Sequence, residues 1–256
     1  MPTEFLNGLF PSIGVFILLC LVTASAAALR GFSGFGSSLV LAPLYSLFMS
    51  PTDVLVVILL LSLVSSVQLL PQALRSVRWS LVIALFLPCL LGIPVGLVAL
   101  HTIDVRLLRL LVAGAVTVMS LVLLAGWVYR GSRGPLQSGL AGITSGVLTA
   151  IAGIGGPPVL LYLLAGKDPS PTVLRSVFIV YFALGQTFTL MPLLAMGSIT
   201  GTQLAYTGAL LPVFFVATAV GTIAHQKLAR HKEDLIRRIS LLFLLGIGVL
   251  TFAISI

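Results

Sequence analysis

The chain reads as an all-α integral membrane protein made of two homologous halves, and three observations predict it. Hydrophobic residues are 59% of the 256 and charged residues 8%, with a mean hydropathy of +1.20, so most of the surface is apolar. No water-soluble domain of this length has that composition. Apolar runs of about 20 residues, the length a helix needs to cross a hydrocarbon core of about 30 Å, recur from end to end. Two glycine- and proline-bearing interruptions, 31–43 and 152–162, lie at matching places within hydrophobic runs. Lipid leaves the backbone no partner but itself, so the spans are helices, and the alternating pattern of a transmembrane barrel is missing.

In chain order the apolar stretches are Leu9–Leu29, Phe32–Met49, Val54–Leu70, Leu81–Leu100, Leu107–Val128, Leu136–Ala152, the short Pro157–Ala165, Val173–Leu194, Leu204–Ala224 and Ile239–Ile256. They predict eight to ten transmembrane helices, depending on the interrupted segments. The first two stretches together are about twice the length of one span, so 30–36 is either a turn at one face or a break within the membrane. Ala24–Ala28 follows an apolar run as a signal-peptidase site would, but no Lys or Arg precedes Arg30, so the first span is expected to be retained.

The second half repeats the landmarks of the first. Pro51-Thr52 and Pro171-Thr172 each open a span, Pro88 before Gly92 and Gly96 matches Pro212 before Gly221, and acidic-to-basic segments at 104–109 and 233–238 each lead into a long apolar run. This order predicts a first membrane repeat over 1–134 and a second over 135–256, together one transport domain. With five crossings per half the repeats are inverted, and twelve of the fourteen Lys and Arg fall inside, leaving Arg106 and Arg109 outside. A parallel arrangement of four spans each puts Arg75, Arg78, Arg130 and Arg133 outside. The positive-inside preference favours inversion, with both termini outside the cytoplasm of a multi-pass cell (inner) membrane protein.

The net charge of +8 does not mark a nucleic-acid binder, because the basic residues are scattered between hydrophobic runs without aromatic interleaving. The basic run 227–238 reads as a topology determinant. Cys20 and Cys89 lie in apolar segments with no C-x-x-C spacing, and read as packing residues. No Walker, H-E-x-x-H or G-x-S-x-G motif is present, so no catalytic residue, metal or cofactor is predicted and the chain is not read as an enzyme.

All six carboxylates fall in loops or at span ends. A cation carrier needs an intramembrane carboxylate to replace the ion's hydration, so a cation substrate is disfavoured. An anion needs backbone amides at helix starts and hydroxyl and amide side-chain donors, to which one arginine can be added. Gly34, Phe35, Gly36, Ser37 and Ser38 in one half, and Gly153, Gly155, Gly156 and Pro157 in the other, stand just before new helical runs. Close helix packing through small residues is the plainer reading of either motif alone. Their duplication favours a binding role. Facing groups are expected from Ser65, Ser66 and Gln68 in the next span, and from Gln186 in its counterpart. Arg30 and Arg175 are the cationic candidates, with interfacial snorkelling as their alternative role. The repeat counterpart of Arg30 is Thr149.

These segments, above all Gly153 to Pro158 running into Val159, Leu160, Leu161 and Tyr162, resemble the TauE/SafE family of sulfite and organosulfonate permeases over nearly the whole chain. The first-half segment departs from the family by carrying serines where a fuller glycine run is common. The resemblance implies export of small anions such as sulfite, sulfoacetate or related sulfonates, driven by an ion gradient. The expectation is a secondary anion transporter working by alternating access in the lipid bilayer, with a coupled proton and a homodimer left open as partners. An anion channel is the alternative among membrane proteins, and a membrane-embedded enzyme or assembly factor the alternative of another class.

Overall fold

The computed structural model describes residues 9–104, 106–108, 114, 118, 133–164 and 170–229. Eight long or half-length helices account for nearly all of them, with no strand among the described residues. In the first half these are α1 (Ile13–Ser33), α2 (Ser37–Tyr45), α3 (Pro51–Ala73) and α4 (Trp79–Thr102). In the second they are α5 (Pro135–Ala152), α6 (Gly156–Leu164), α7 (Pro171–Ala195) and α8 (Gly201–Ala229). Five of them, α1, α3, α4, α7 and α8, are long and apolar enough to cross a membrane. The expected stretches 107–128 and 239–256 lie mostly or wholly outside the described residues.

The helix starts follow local chemistry. Pro51 and Pro171 each occupy the first turn, where a missing amide hydrogen costs nothing. Before them Ser50 Oγ accepts from the Asp53 amide at 3.2 Å and Ser170 Oγ from the Val173 amide at 3.4 Å. The stretch Phe32–Met49, where the sequence left a turn or a break open at 30–36, holds a break followed by a short helix. Gly34 and Gly36, at φ 85° and 93°, reverse the chain, and α2 has nine residues, about 14 Å, half a membrane. Its partner in the second half, α6, also has nine residues and follows Gly153 at φ 73°. Each short helix folds back along the helix before it; Tyr45 at the end of α2 shares a 2.6 Å hydroxyl contact with Thr23 of α1.

Helix directions can be read from contacts. Gln203 Nε2 donates to Asp53 Oδ1 at 2.6 Å and Tyr206 OH to the Leu9 carbonyl at 3.0 Å, so α1, α3 and α8 begin on one side. The Ser76 and Ser176 hydroxyls are 2.7 Å apart and Arg175 Nη1 donates to Gln72 Oε1 at 3.4 Å, so the end of α3 meets the start of α7 and the two run antiparallel. On α4 and α5, Leu85 faces Gly142, Cys89 faces Gly146, and Gly96 faces Val147 and Ala150, a parallel pair.

Helix pairing is reciprocal. α1 packs on α8 and α5 on α4, α2 lies on α1 and α6 on α5, and α3 meets α7 between them. Both of the closest pairs are glycine-mediated. A Cβ on Gly31 would collide with the Thr218 carbonyl and one on Gly221 with the Ala28 carbonyl, as one on Gly92 would with the Ile143 carbonyl. Small residues at these crossings let backbones approach, which is how helices associate where lipid is as apolar as leucine. The faces turned outward carry Leu87, Leu91, Val95, Leu136 and Leu140, exposed apolar side chains suited to acyl chains.

Candidate functional site

The two breaks meet. A Cβ on Gly153 would lie 3.5 Å from Ser38 Oγ and 3.1 Å from an Ile58 methyl, and one on Gly156 3.0 Å from the Phe35 ring. Between them is a small cavity lined by Arg30, Phe35, Gly36, Ser38 and Leu39 from the first half, and by Gly153, Ile154, Gly156, Phe182 and Gln186 from the second. Its free volume is about 10 Å³, room for one water-sized group.

Arg30 dominates its electrostatics. The side chain is 2% exposed and reaches the middle of α3, where Nε donates to Ser65 Oγ at 2.6 Å and Nη2 to Ser66 Oγ at 2.7 Å and the Ser62 carbonyl at 3.1 Å. Three neutral oxygens orient the guanidinium, and no carboxylate among the described residues pairs with it. Burying a charge without a counter-charge is costly, several kcal/mol for an ion of this kind even after relaxation. Arg30 lines the cavity with its charge unmatched, and its Nη1 donates to none of the described residues. Ser66 Oγ in turn lies 3.3 Å from Gln186 Oε1, linking the arginine to the buried amide of α7.

The breaks also aim helix starts at the cavity. α2 begins at Ser37 behind Gly36 with no side chain capping its first amides; the Leu39 amide donates to the Gly36 carbonyl at 3.2 Å, which leaves those of Ser37 and Ser38 for a ligand. α6 offers fewer donors, because Pro157 and Pro158 in its first turn have no amide hydrogen. The amide supply is therefore lopsided, where the sequence alone suggested two equivalent cradles.

Of the residues expected at the site, Arg30, Phe35, Gly36, Ser38, Gly153, Gly156 and Gln186 line the cavity, and Ser65 and Ser66 hold the arginine. The others are elsewhere. Gln68 turns to α8, with Nε2 3.5 Å from the Phe215 carbonyl, since two residues along a helix rotate it by about 200° from Ser66. Arg175, 4% exposed, is not a snorkelling anchor and does not line the cavity. Its Nη2 and Nε donate to the Gly31 carbonyl at 2.7 and 3.2 Å, bracing the end of α1. Gly34 sits against Arg175, and Ser37 is buried with its hydroxyl unpartnered. Gly155 is wedged against Ser145 and Thr149, its carbonyl accepting from Ser145 Oγ at 2.6 Å, and Pro157 is buried in α6.

Sequence reasoning missed Leu39, Ile154 and Phe182. Phe182 was detectable, being one turn before Gln186 and so on the same face. Its ring belongs to a stack in which Phe35 and Phe178 have centroids 4.4 Å apart and Phe178 and Phe182 6.0 Å. Among the described residues no three His, Cys, Asp or Glu side chains gather as metal ligands.

No curated protein and no solved structure matches the chain significantly. The sequence model of the sulfite exporter TauE/SafE family matches residues 19–251, a span that includes both breaks, Arg30 and all eight helices but the start of the first. A multi-pass helical membrane protein with an unpaired arginine facing the junction of two broken helices, matched over nearly its whole length, belongs to the sulfite exporter TauE/SafE family.

Proposed function

We propose that the protein is a secondary transporter of small anions of the sulfite and sulfonate class, exporting them by alternating access from the cell membrane. The carrying observation is the Arg30 guanidinium, 2% exposed, held by neutral groups and lining a cavity with no carboxylate among its described lining residues. An anion supplies the counter-charge that the chain withholds. The amides at the start of α2 and the Ser38 hydroxyl add donors of the kind an oxyanion accepts.

Inverted repeats over 1–134 and 135–256 complete the proposal. The antiparallel course of α3 and α7, and the parallel pairs α1 with α8 and α4 with α5, support opposite orientations for corresponding helices. Rocking of one half against the other about the cavity would expose it to each side in turn.

The test is uptake and counterflow of labelled sulfite in proteoliposomes. Saturable uptake with counterflow by the full chain, abolished in Arg30→Gln with the protein still monodisperse, is expected. Sulfite movement at protein-free rates by well-folded protein would refute the reading, and flux that neither saturates nor shows counterflow would make the protein a channel.

A further inference from the structure

We infer that the site is matched to singly charged anions and discriminates against doubly charged ones of equal size, a narrowing that rests on the anion-transport reading above. Charge balance carries it. Among the described residues Arg30 is the one cation lining the cavity, and no Asp, Glu or His lines it. Its Nε and Nη2 hydrogens are committed to Ser65, Ser66 and the Ser62 carbonyl. Only Nη1 remains, so the arginine offers an anion the hydrogens of one nitrogen and not a two-nitrogen fork.

Helix ends add at most about half a unit of charge to the balance. Each break joins the carbonyl end of one helix to the amide end of the next, α1 to α2 and α5 to α6, so partial charges of about half a unit each oppose one another. The second buried guanidinium, Arg175, faces the other way, against the Gly31 carbonyl, Gln72 and Thr222, where it complements the negative end of α1. One positive charge therefore faces a wall completed by Phe35, Leu39, Ile154 and Phe182. A singly charged oxyanion is neutralised there. A second negative charge would be buried with nothing opposite it, one of the costliest arrangements in a low-dielectric interior.

The chemistry of sulfite makes the consequence specific. Its second dissociation falls near neutral pH, and the form this site accepts is hydrogensulfite. Each turnover then moves one proton bound to the substrate oxyanion, with no side chain needed to take it up or release it. This accounts for a cavity with no carboxylate among its described lining residues.

Uptake into proteoliposomes of the full chain, over a series of pH values at subsaturating substrate, tests it with three anions. Labelled sulfite changes charge across the series, methanesulfonate stays singly charged and sulfate stays doubly charged. Methanesulfonate uptake should be flat, and sulfite uptake should fall about tenfold per pH unit once the dianion dominates, as the monoanion fraction does. Sulfate uptake should be at least about tenfold below methanesulfonate, the ratio that about 1.4 kcal/mol gives. Sulfite uptake rising with pH, or sulfate moving as fast as methanesulfonate, overturns the inference and leaves the transport reading standing. If none of the three exceeds protein-free vesicles, the transport reading fails and takes the inference with it. A second measurement needs no variant and no flux: methanesulfonate should raise the melting temperature of the detergent-solubilised protein and sulfate should not, and equal shifts would overturn the inference.

Discussion

Arg30 is held by two hydroxyls and a carbonyl of α3, and those partners explain why lysine cannot replace it. A lysine presents a point charge without the planar array that meets Ser65, Ser66 and the Ser62 carbonyl together. Arg30→Gln should weaken anion binding by about 2–5 kcal/mol, the range for removing one partner of a buried charge pair, and Arg30→Lys should restore only part of it. Calorimetric titration with methanesulfonate checks both; wild-type affinity in Arg30→Gln would remove the arginine from the site. Gln68→Ala should leave transport near wild type, whereas Gln186→Ala should not, although the sequence alone rates the two amides alike. Helical phase separates them. Whether a charged side chain lies at an interface or in the interior was not legible, because it depends on three α3 oxygens more than thirty residues away along the chain.

At the scale of elements, the glycine crossings give a graded test. Alanine at Gly221 or Gly92 drives a Cβ into a backbone carbonyl and should destabilise the fold by about 1–3 kcal/mol, the usual cost of overpacking. Gly208→Ala meets nothing within 4 Å and lies inside α8, so it should be neutral or stabilising by a few tenths to about 1 kcal/mol. Melting temperatures in one detergent decide; equal losses at all three positions would argue against close α1–α8 and α4–α5 contact. Helix starts at Pro51 and Pro171 were legible because proline, a preceding serine and an apolar run are local signals. The half length of α2 was not. The interruption at 30–36 was visible, but hydropathy could not choose between a turn at one face and a break within the membrane. Two left-handed glycines make the break, and a glycine's φ cannot be read from its neighbours.

For the whole molecule, the Ser76–Ser176 contact joins the halves at the end of α3 and the start of α7, so a bridge there should stop any rocking between them. Ser76→Cys with Ser176→Cys should lose methanesulfonate uptake on oxidation and recover it on reduction. Methanesulfonate is the right substrate because sulfite itself cleaves disulfides. Undiminished uptake with the bridge fully formed would exclude motion of α3 against α7 from the cycle. The order of landmarks in the two halves was legible in the sequence, whereas the pairing of α1 with α8 and of α5 with α4 was not, since it joins segments far apart along the chain. What no linear comparison could reveal is that Ser38 of one break would meet Gly153 of the other, since that contact exists only once the halves interlock.

Arg30 and Thr149 occupy the same place in their halves: each carbonyl accepts the amide of the left-handed glycine four residues on, at 2.7 and 2.8 Å. One is a fixed cation and the other a buried hydroxyl with no partner. In a carrier whose two open forms arise by exchanging the roles of its halves, such a mismatch makes those forms chemically different receptors for one ligand. Half-saturation should then differ between the two faces of the membrane. The electrochemical gradient still dictates the direction of net flow, but the face that binds more tightly would saturate first, so movement out of the two compartments would reach its ceiling at different substrate concentrations.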